Sequence, residues 1–245
     1  MSRLGLLGKN IDYSFSRGYF SNKFIKENLP FTYENFDLES IQDFPNLMAK
    51  NPDIVALNVT IPYKEEIMPY LGDIDSTAKK IGAVNTIKIL DKGNLKGYNT
   101  DYYGFQKSIM PFIKPHHKKA LILGTGGASK AIAYALDIMG IKFEYVSRSL
   151  KRGIKYDYNK LSPEVLSQFQ IIINCTPLGT FPNIKFYPEI PFYALNSSHL
   201  LFDLIYNPAE TEFLKRGKAR GADICNGSEM LKFQAEKAWE IWNLV

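Results

Sequence analysis

Twice along this chain, apolar runs of strand length alternate with stretches of helical spacing, and that rhythm constrains the fold more than any other feature. The first series runs Leu4 to Leu7, a helix near Arg17 to Asn28, Thr32 to Phe36, a helix near Glu39 to Ala49, and Ile54 to Val59. The second runs Ala120 to Leu123, a helix from Ala128 to Met139, then strands Phe143 to Val146, Ile171 to Asn174, Leu201 to Leu204 and Ala222 to Cys225. Strands separated by helices form βαβ units, which predict largely parallel sheets. Between the series, Val84 to Leu90 and Leu95 to Tyr98 flank Asp91-Lys92-Gly93-Asn94, whose residues favour a tight reversal and hence one hairpin. A helix from about Tyr102 to Phe112 follows, and the polar segment Ile113 to Lys119 has the composition of an inter-domain connector. The last helix, about Ser228 to Trp242, aligns Leu231, Ala235, Ala238 and Trp242 on an apolar stripe. The fold class predicted is α/β: two α/β domains with a cleft between them, the first a mainly parallel mixed sheet and the second Rossmann-like.

A length of 245 residues suits one large or two small domains. Thirty basic residues against 25 acidic ones leave a net charge of +5. That mild excess fits anionic ligands and falls short of a nucleic-acid footprint. No apolar stretch approaches a membrane span of ~18 residues, and Met1-Ser2-Arg3 leads into Leu4 without a signal-peptide pattern, so a cytoplasmic protein is expected. Cys175 and Cys225 are far apart in sequence and read as reduced core thiols. His116 and His117 lie in a polar connector and His199 precedes a strand, so no metal site is expected.

The turn Gly124-Thr125-Gly126-Gly127-Ala128 follows a strand and opens a helix. In a Gly-x-Gly-x-x-Gly fingerprint the first glycine makes the turn, the second admits a pyrophosphate and the third lets helix approach strand. Gly124 and Gly126 fill the first two roles and Ser129 takes the third place. The helix N-terminus offers free amides and a dipole to phosphate. At the end of the next strand, where an NAD site presents an acid to the ribose, the chain has Ser147-Arg148-Ser149-Leu150-Lys151-Arg152. Three cations and no acid suit a 2′-phosphate, Arg148 being placed to fork onto it and Arg152 to add charge. NADP is therefore expected over NAD, with a solvated basic loop as the bland alternative.

Lys64 closes Asn58-Val59-Thr60-Ile61-Pro62-Tyr63-Lys64 and Asp101 closes Gly97-Tyr98-Asn99-Thr100-Asp101, each where a strand-like stretch ends. Hydride transfer to a ketone develops alkoxide character, and a neighbouring group must deliver a proton. A lysine can do this and a carboxylate can orient it. Taken singly, a surface lysine and an aspartate capping a helix are the favoured readings.

The chain resembles the shikimate dehydrogenase family along its length. The matching words, in order, are Ser14-Phe15-Ser16, Asn58 to Lys64, Ala83-Val84-Asn85-Thr86, Gly97 to Asp101, Gly124 to Ala128, Asn174-Cys175-Thr176-Pro177-Leu178-Gly179, Asp203 to Pro208, and Gly227 to Gln234. The resemblance implies NADPH-dependent, reversible reduction of the small molecule 3-dehydroshikimate to shikimate in aromatic biosynthesis, by a monomer or homodimer. It implies a substrate domain of residues 1–102 plus the C-terminal helix at about 228–245, and an NADP domain of residues 103–227. By the family pattern Lys64 and Asp101 stand at the reacting centre, while Ser14, Ser16, Thr60, Asn85, Tyr206 and Gln234 contact the substrate. Cofactor positions carried over are Gly124, Thr125, Gly126, Gly127, Ala128, Ser147, Arg148, Ser149, Arg152, Thr176, Leu204 and Gly227. Other readings stay open: Ser14 and Ser16 as helix caps, Asn85 as a turn residue, Tyr206 as a core aromatic. Gln234 offers an internal check, because an amide on the apolar stripe is costly to bury without a partner. Rival functions are a quinate/shikimate dehydrogenase using NAD or NADP, and a non-catalytic sensor of the same fold.

Overall fold

The computed structural model describes residues 2–11, 14–150 and 154–242. The chain divides into two compact units, one of residues 1–100 with 235–245, the other of residues 101–234.

The first unit contains β1 (Ser2–Gly8), α1 (Phe15–Lys26), β2 (Phe31–Asp37), α2 (Phe44–Lys50), β3 (Ile54–Val59), β4 (Asp73–Ile74), α3 (Ser76–Ile81), β5 (Thr86–Ile89) and β6 (Leu95–Tyr98). Among the described residues its sheet has the order β2-β1-β3-β5-β6-β4. Only β5 runs against its neighbours, pairing antiparallel with β3 and β6, so the expected hairpin lies within an otherwise parallel layout. Its reversal places Lys92 and Gly93 at positive φ and closes with Leu90 N donating to Asn94 O at 2.7 Å. The helix expected over residues 39–49 is instead a 3-10 turn at Ile41–Asp43 followed by α2. Pro45 lies in the first turn of α2, where its missing N–H costs nothing but where a helix arriving from upstream would lose a hydrogen bond. Both segments still bury their apolar side chains, Ile41 and Phe44. The short β4 and α3, unmarked by any long apolar period, were not foreseen. Asp75 caps α3 through Thr77 N and Ala78 N, and Gly82 ends it at φ 73°.

The second unit contains α4 (Asp101–Ile109), β7 (Lys119–Leu123), α5 (Gly127–Ile138), β8 (Lys142–Ser147), β9 (Tyr156–Asp157), α6 (Pro163–Leu166), β10 (Ile171–Asn174), β11 (Leu200–Asp203), α7 (Glu212–Lys218), β12 (Asp223–Cys225) and the start of α8 (Ser228–Trp242). Its sheet, ordered β12-β11-β10-β7-β8-β9, is parallel throughout. The chain builds outward from β7 to β8 and β9, then returns to the other side of β7 as β10. That reversal makes the carboxyl ends of β7 and β10 a topological switch point, where open α/β sheets bind ligands. Both faces of β7, β10 and β11 are covered, which explains why they read as unbroken apolar runs.

Two expectations need correction. The polar segment 113–119 lies inside the second unit, fastened by the buried His117, whose Nδ1 accepts from Lys114 N at 3.1 Å. The apolar stripe of α8 uses Met230 where Leu231 was expected. Met230, Gln234, Ala235, Ala238 and Trp242 are buried and Leu231 is half-buried. In the first unit the stripe's end is tied down by Trp242 Nε1 donating to Ile87 O at 3.0 Å.

No helix among the described residues is long and apolar enough to cross a membrane, and no group of three or more His, Cys, Asp or Glu there could hold a metal. Cys175 and Cys225 are free thiols. Burial pushes the Cys175 thiol well up and that of Cys225 to about 11, so both stay protonated and inert.

Candidate active site

In the first unit the carboxyl ends of β1 and β3 meet at Thr60. Its N–H donates to Leu7 O at 2.9 Å, and its carbonyl accepts from Tyr63 N at 2.9 Å, opening the turn that carries Lys64. Gly8 makes this approach possible, since a Cβ there would lie 2.6 Å from Thr60 Cγ2. Lys64 is half-buried, and its carbonyl accepts from Val84 N at 2.7 Å. The next residue, Asn85, is 2% exposed and is no turn residue. Its Oδ1 accepts from Thr100 N at 2.7 Å and its Nδ2 donates to Thr100 Oγ1 at 3.0 Å. Asn99 Nδ2 donates to Ala83 O at 2.9 Å. Residues 83–85 therefore hold the Lys64 turn on one side and the stretch leading to Asp101 on the other.

The two serines differ. Ser14 caps α1, its Oγ accepting from Arg17 N at 3.3 Å. Ser16 lies within the helix, buried. Tyr33, Asn58, Thr86 and Thr100, to which sequence reasoning gave no role, form a buried hydrogen-bonded group with Asn85. Asn58 inside the otherwise apolar β3 was its only trace in the sequence.

The second unit opens at Asp101, the buried first residue of α4. Gly104 lets α4 lie against α8, since a Cβ there would fall 2.5 Å from Met230 O and 3.0 Å from Gln234 Cβ. Asp101 and Gln234 thus belong to two helices that pack closely at Gly104. Gln234 is 6% exposed and Tyr206 half-buried.

At the switch point, Gly124 has φ 103°, a conformation that favours glycine, and a Cβ there would lie 3.2 Å from Thr176 Cγ2. This joins the ends of β7 and β10. Gly126 caps α5 at φ −81°, and a Cβ there would meet nothing within 4 Å. No protein packing demands a glycine at 126; a ligand pressed against the backbone would. Gly127 and Ala128 begin the helix, half-buried, beside the exposed Thr125. Ser129 fits the third position because its Oγ turns inward to donate to Gly126 O at 2.6 Å, holding the turn it might have obstructed. These features suit a dinucleotide pyrophosphate.

Thr176 is set by Asn174, whose Oδ1 accepts from Thr176 N at 2.9 Å and Thr176 Oγ1 at 2.7 Å. Asn174 Nδ2 donates to Asp203 Oδ1 at 3.0 Å, and Thr211 Oγ1 donates to Asp203 Oδ2 at 2.6 Å. Burial pushes the Asp203 carboxyl up to about 6 against these bonds. Leu204 and Gly227 form a packing contact, a Cβ on Gly227 falling 2.1 Å from Leu204 O. Ser147 ends β8, with Arg148 and Ser149 exposed beyond it. Tyr158 is raised to about 12 by burial, opposed in part by the nearby Arg148 charge. Arg152 lies outside the described residues.

Residues 6–87 match the family model described as the shikimate dehydrogenase substrate binding domain. The NADP(+)-type shikimate dehydrogenase of Clostridium botulinum is 41% identical, covering 100% of this chain and 97% of its own. Among solved structures, shikimate 5-dehydrogenase from Thermus thermophilus in complex with NADP(H) and shikimate superposes with TM-score 0.88 at 27% identity, over 100% of this chain and 94% of that one. Quinate dehydrogenase from Corynebacterium glutamicum in complex with NAD gives the same TM-score, 0.88, at 26% identity, over 100% and 94%. The fold therefore does not separate these two specificities. Sequence identity over the full length does decide membership: the chain belongs to the shikimate dehydrogenase family.

Proposed function

We propose that the protein is an NADP-dependent shikimate dehydrogenase, reversibly reducing 3-dehydroshikimate to shikimate with NADPH. The observation that carries the reading is the 41% identity to a shikimate dehydrogenase over the whole chain. In this reading the first unit, with the end of α8, is the substrate half and the second is the NADP half. The protein works in the cytoplasm as a monomer or homodimer, an assignment with which its two free thiols accord.

NADPH, when bound, supplies the hydride. Lys64 protonates the developing alkoxide in reduction and accepts the proton in oxidation, and Asp101 orients it. Ser14, Ser16, Thr60, Asn85, Tyr206 and Gln234 provide the polar groups that a triol carboxylate must pair with, and a ligand lacking a matching group would leave one of them unpaired. Gly124 to Ala128 would seat the pyrophosphate, with Thr176, Leu204 and Gly227 as further cofactor contacts. Arg148, with Ser147, Ser149 and Arg152, reads the 2′-phosphate.

The test follows nicotinamide absorbance with purified protein in four combinations, shikimate or quinate with NADP or NAD. Shikimate with NADP should give the highest kcat/KM. Preferential use of quinate with NAD would establish the quinate enzyme instead, and ligand binding without turnover would establish a sensor.

A further inference from the structure

Tyr33, on β2, is 5% exposed, and its ring stacks on Phe20 of α1 with centroids 4.8 Å apart and planes 13° from parallel. Phe20 lies one helical turn beyond Ser16, on the same buried face. The phenol of Tyr33 reaches across β1, the strand between β2 and β3, and donates to Asn58 Oδ1 at 2.7 Å. The amide of Asn58 is oriented by its other end, Nδ2 donating to Asn85 O at 3.3 Å and Thr86 Oγ1 at 3.4 Å. Its oxygen must then face Tyr33, so the single phenol hydrogen goes to Asn58. A buried run of hydrogen bonds thus leads from Tyr33 through Asn58 to the Asn85 carbonyl.

We propose that Tyr33 is a positioning residue for substrate recognition: its hydroxyl, bonded to Asn58, fixes the amide that holds the Asn85 carbonyl. The inference rests on the reading of Asn85 as a shikimate contact. Tyr33 itself need not touch the ligand. Deleting its hydroxyl leaves a buried acceptor on Asn58 without its donor, while the ring and its stacking on Phe20 persist.

The experiment measures steady-state kinetics of the full chain with shikimate and NADP. Tyr33→Phe should raise KM for shikimate about tenfold, the scale of one hydrogen bond. KM for NADP should not change, and kcat should stay within about threefold, a split that general destabilisation would not produce. In an Asn58→Ser background the same change should add less than about twofold, because the two residues act through one interaction. Asn58→Ser alone, cutting the other end, should show the same selectivity for shikimate should Tyr33→Phe not fold. An unchanged KM for shikimate, equal losses for both ligands, or a full extra effect in the Asn58→Ser background would overturn the proposal. Wild-type protein that fails to oxidise shikimate would overturn the functional reading instead, so the two failures are distinct.

Discussion

Thr100 and Asn85 grip each other at both ends: the Thr100 main-chain nitrogen donates to Asn85 Oδ1 at 2.7 Å, and Asn85 Nδ2 donates to Thr100 Oγ1 at 3.0 Å. Val84, beside Asn85, donates to the carbonyl of Lys64, and Asp101 follows Thr100 in the chain. One dipeptide therefore sets the backbone of the proposed proton donor and the approach to its proposed partner. Thr100→Val keeps the shape and removes the hydroxyl that accepts from Asn85 Nδ2, for an expected loss of ~1 kcal/mol, the scale of one hydrogen bond. Denaturant unfolding checks this, with kcat expected to fall while KM for NADP holds. An unchanged midpoint would show that the pairing contributes nothing.

Lys64→Ala should lower kcat by roughly 10² to 10⁴-fold with a smaller change in KM, the scale of lost acid-base catalysis. Steady-state rates with shikimate and NADP measure it. Near-normal turnover would remove Lys64 from the chemistry.

Arg148→Ala should weaken NADP more than NAD, by about tenfold or more, since one charge-assisted contact to a 2′-phosphate is lost. Titrating each cofactor gives the ratio. Equal losses would mean that Arg148 reads no phosphate.

Gly227→Ala drives a Cβ into the Leu204 carbonyl, 2.1 Å away, where rigid backbone must give. We expect a loss of ~1–3 kcal/mol in the ligand-free protein. Unchanged ligand-free stability with weakened NADP binding would instead make Gly227 a cofactor contact alone.

Burial lowers the imidazole pKa of His117 and of His199, whose Nε2 is buried without a hydrogen-bond partner among the described residues. Below the ordinary histidine value of about 6.5 the unfolded chain binds more protons than the folded one, so stability is lost as pH falls from there toward the depressed folded values. Asp203 has the opposite sign: with its carboxyl pushed up to about 6, ionisation costs stability as pH rises through that value. Unfolding free energies of wild type and His199→Leu between pH 7.5 and 5.5 separate the contributions. The variant should lose stability less steeply on acidification, by at most ~1.4 kcal/mol per pH unit. Parallel curves would exclude His199.

Local chemistry made much of this protein legible from its sequence. The strands Ile54–Val59, Leu95–Tyr98 and Ile171–Asn174 and the helix Ser228–Trp242 fall where periodicity put them, because side-chain spacing and helix caps act within a few residues. The glycine turn before α5 is local for the same reason. Pro45 shows a local rule overriding period, cutting one expected helix to α2. What tertiary structure alone decided is which distant polar groups meet. Tyr33, Asn58 and Thr86 are ordinary strand residues until the order β2-β1-β3-β5 brings them together and removes water. Buried beneath apolar helices, each must then find its partner among the others, and that requirement is written in no single segment of the chain.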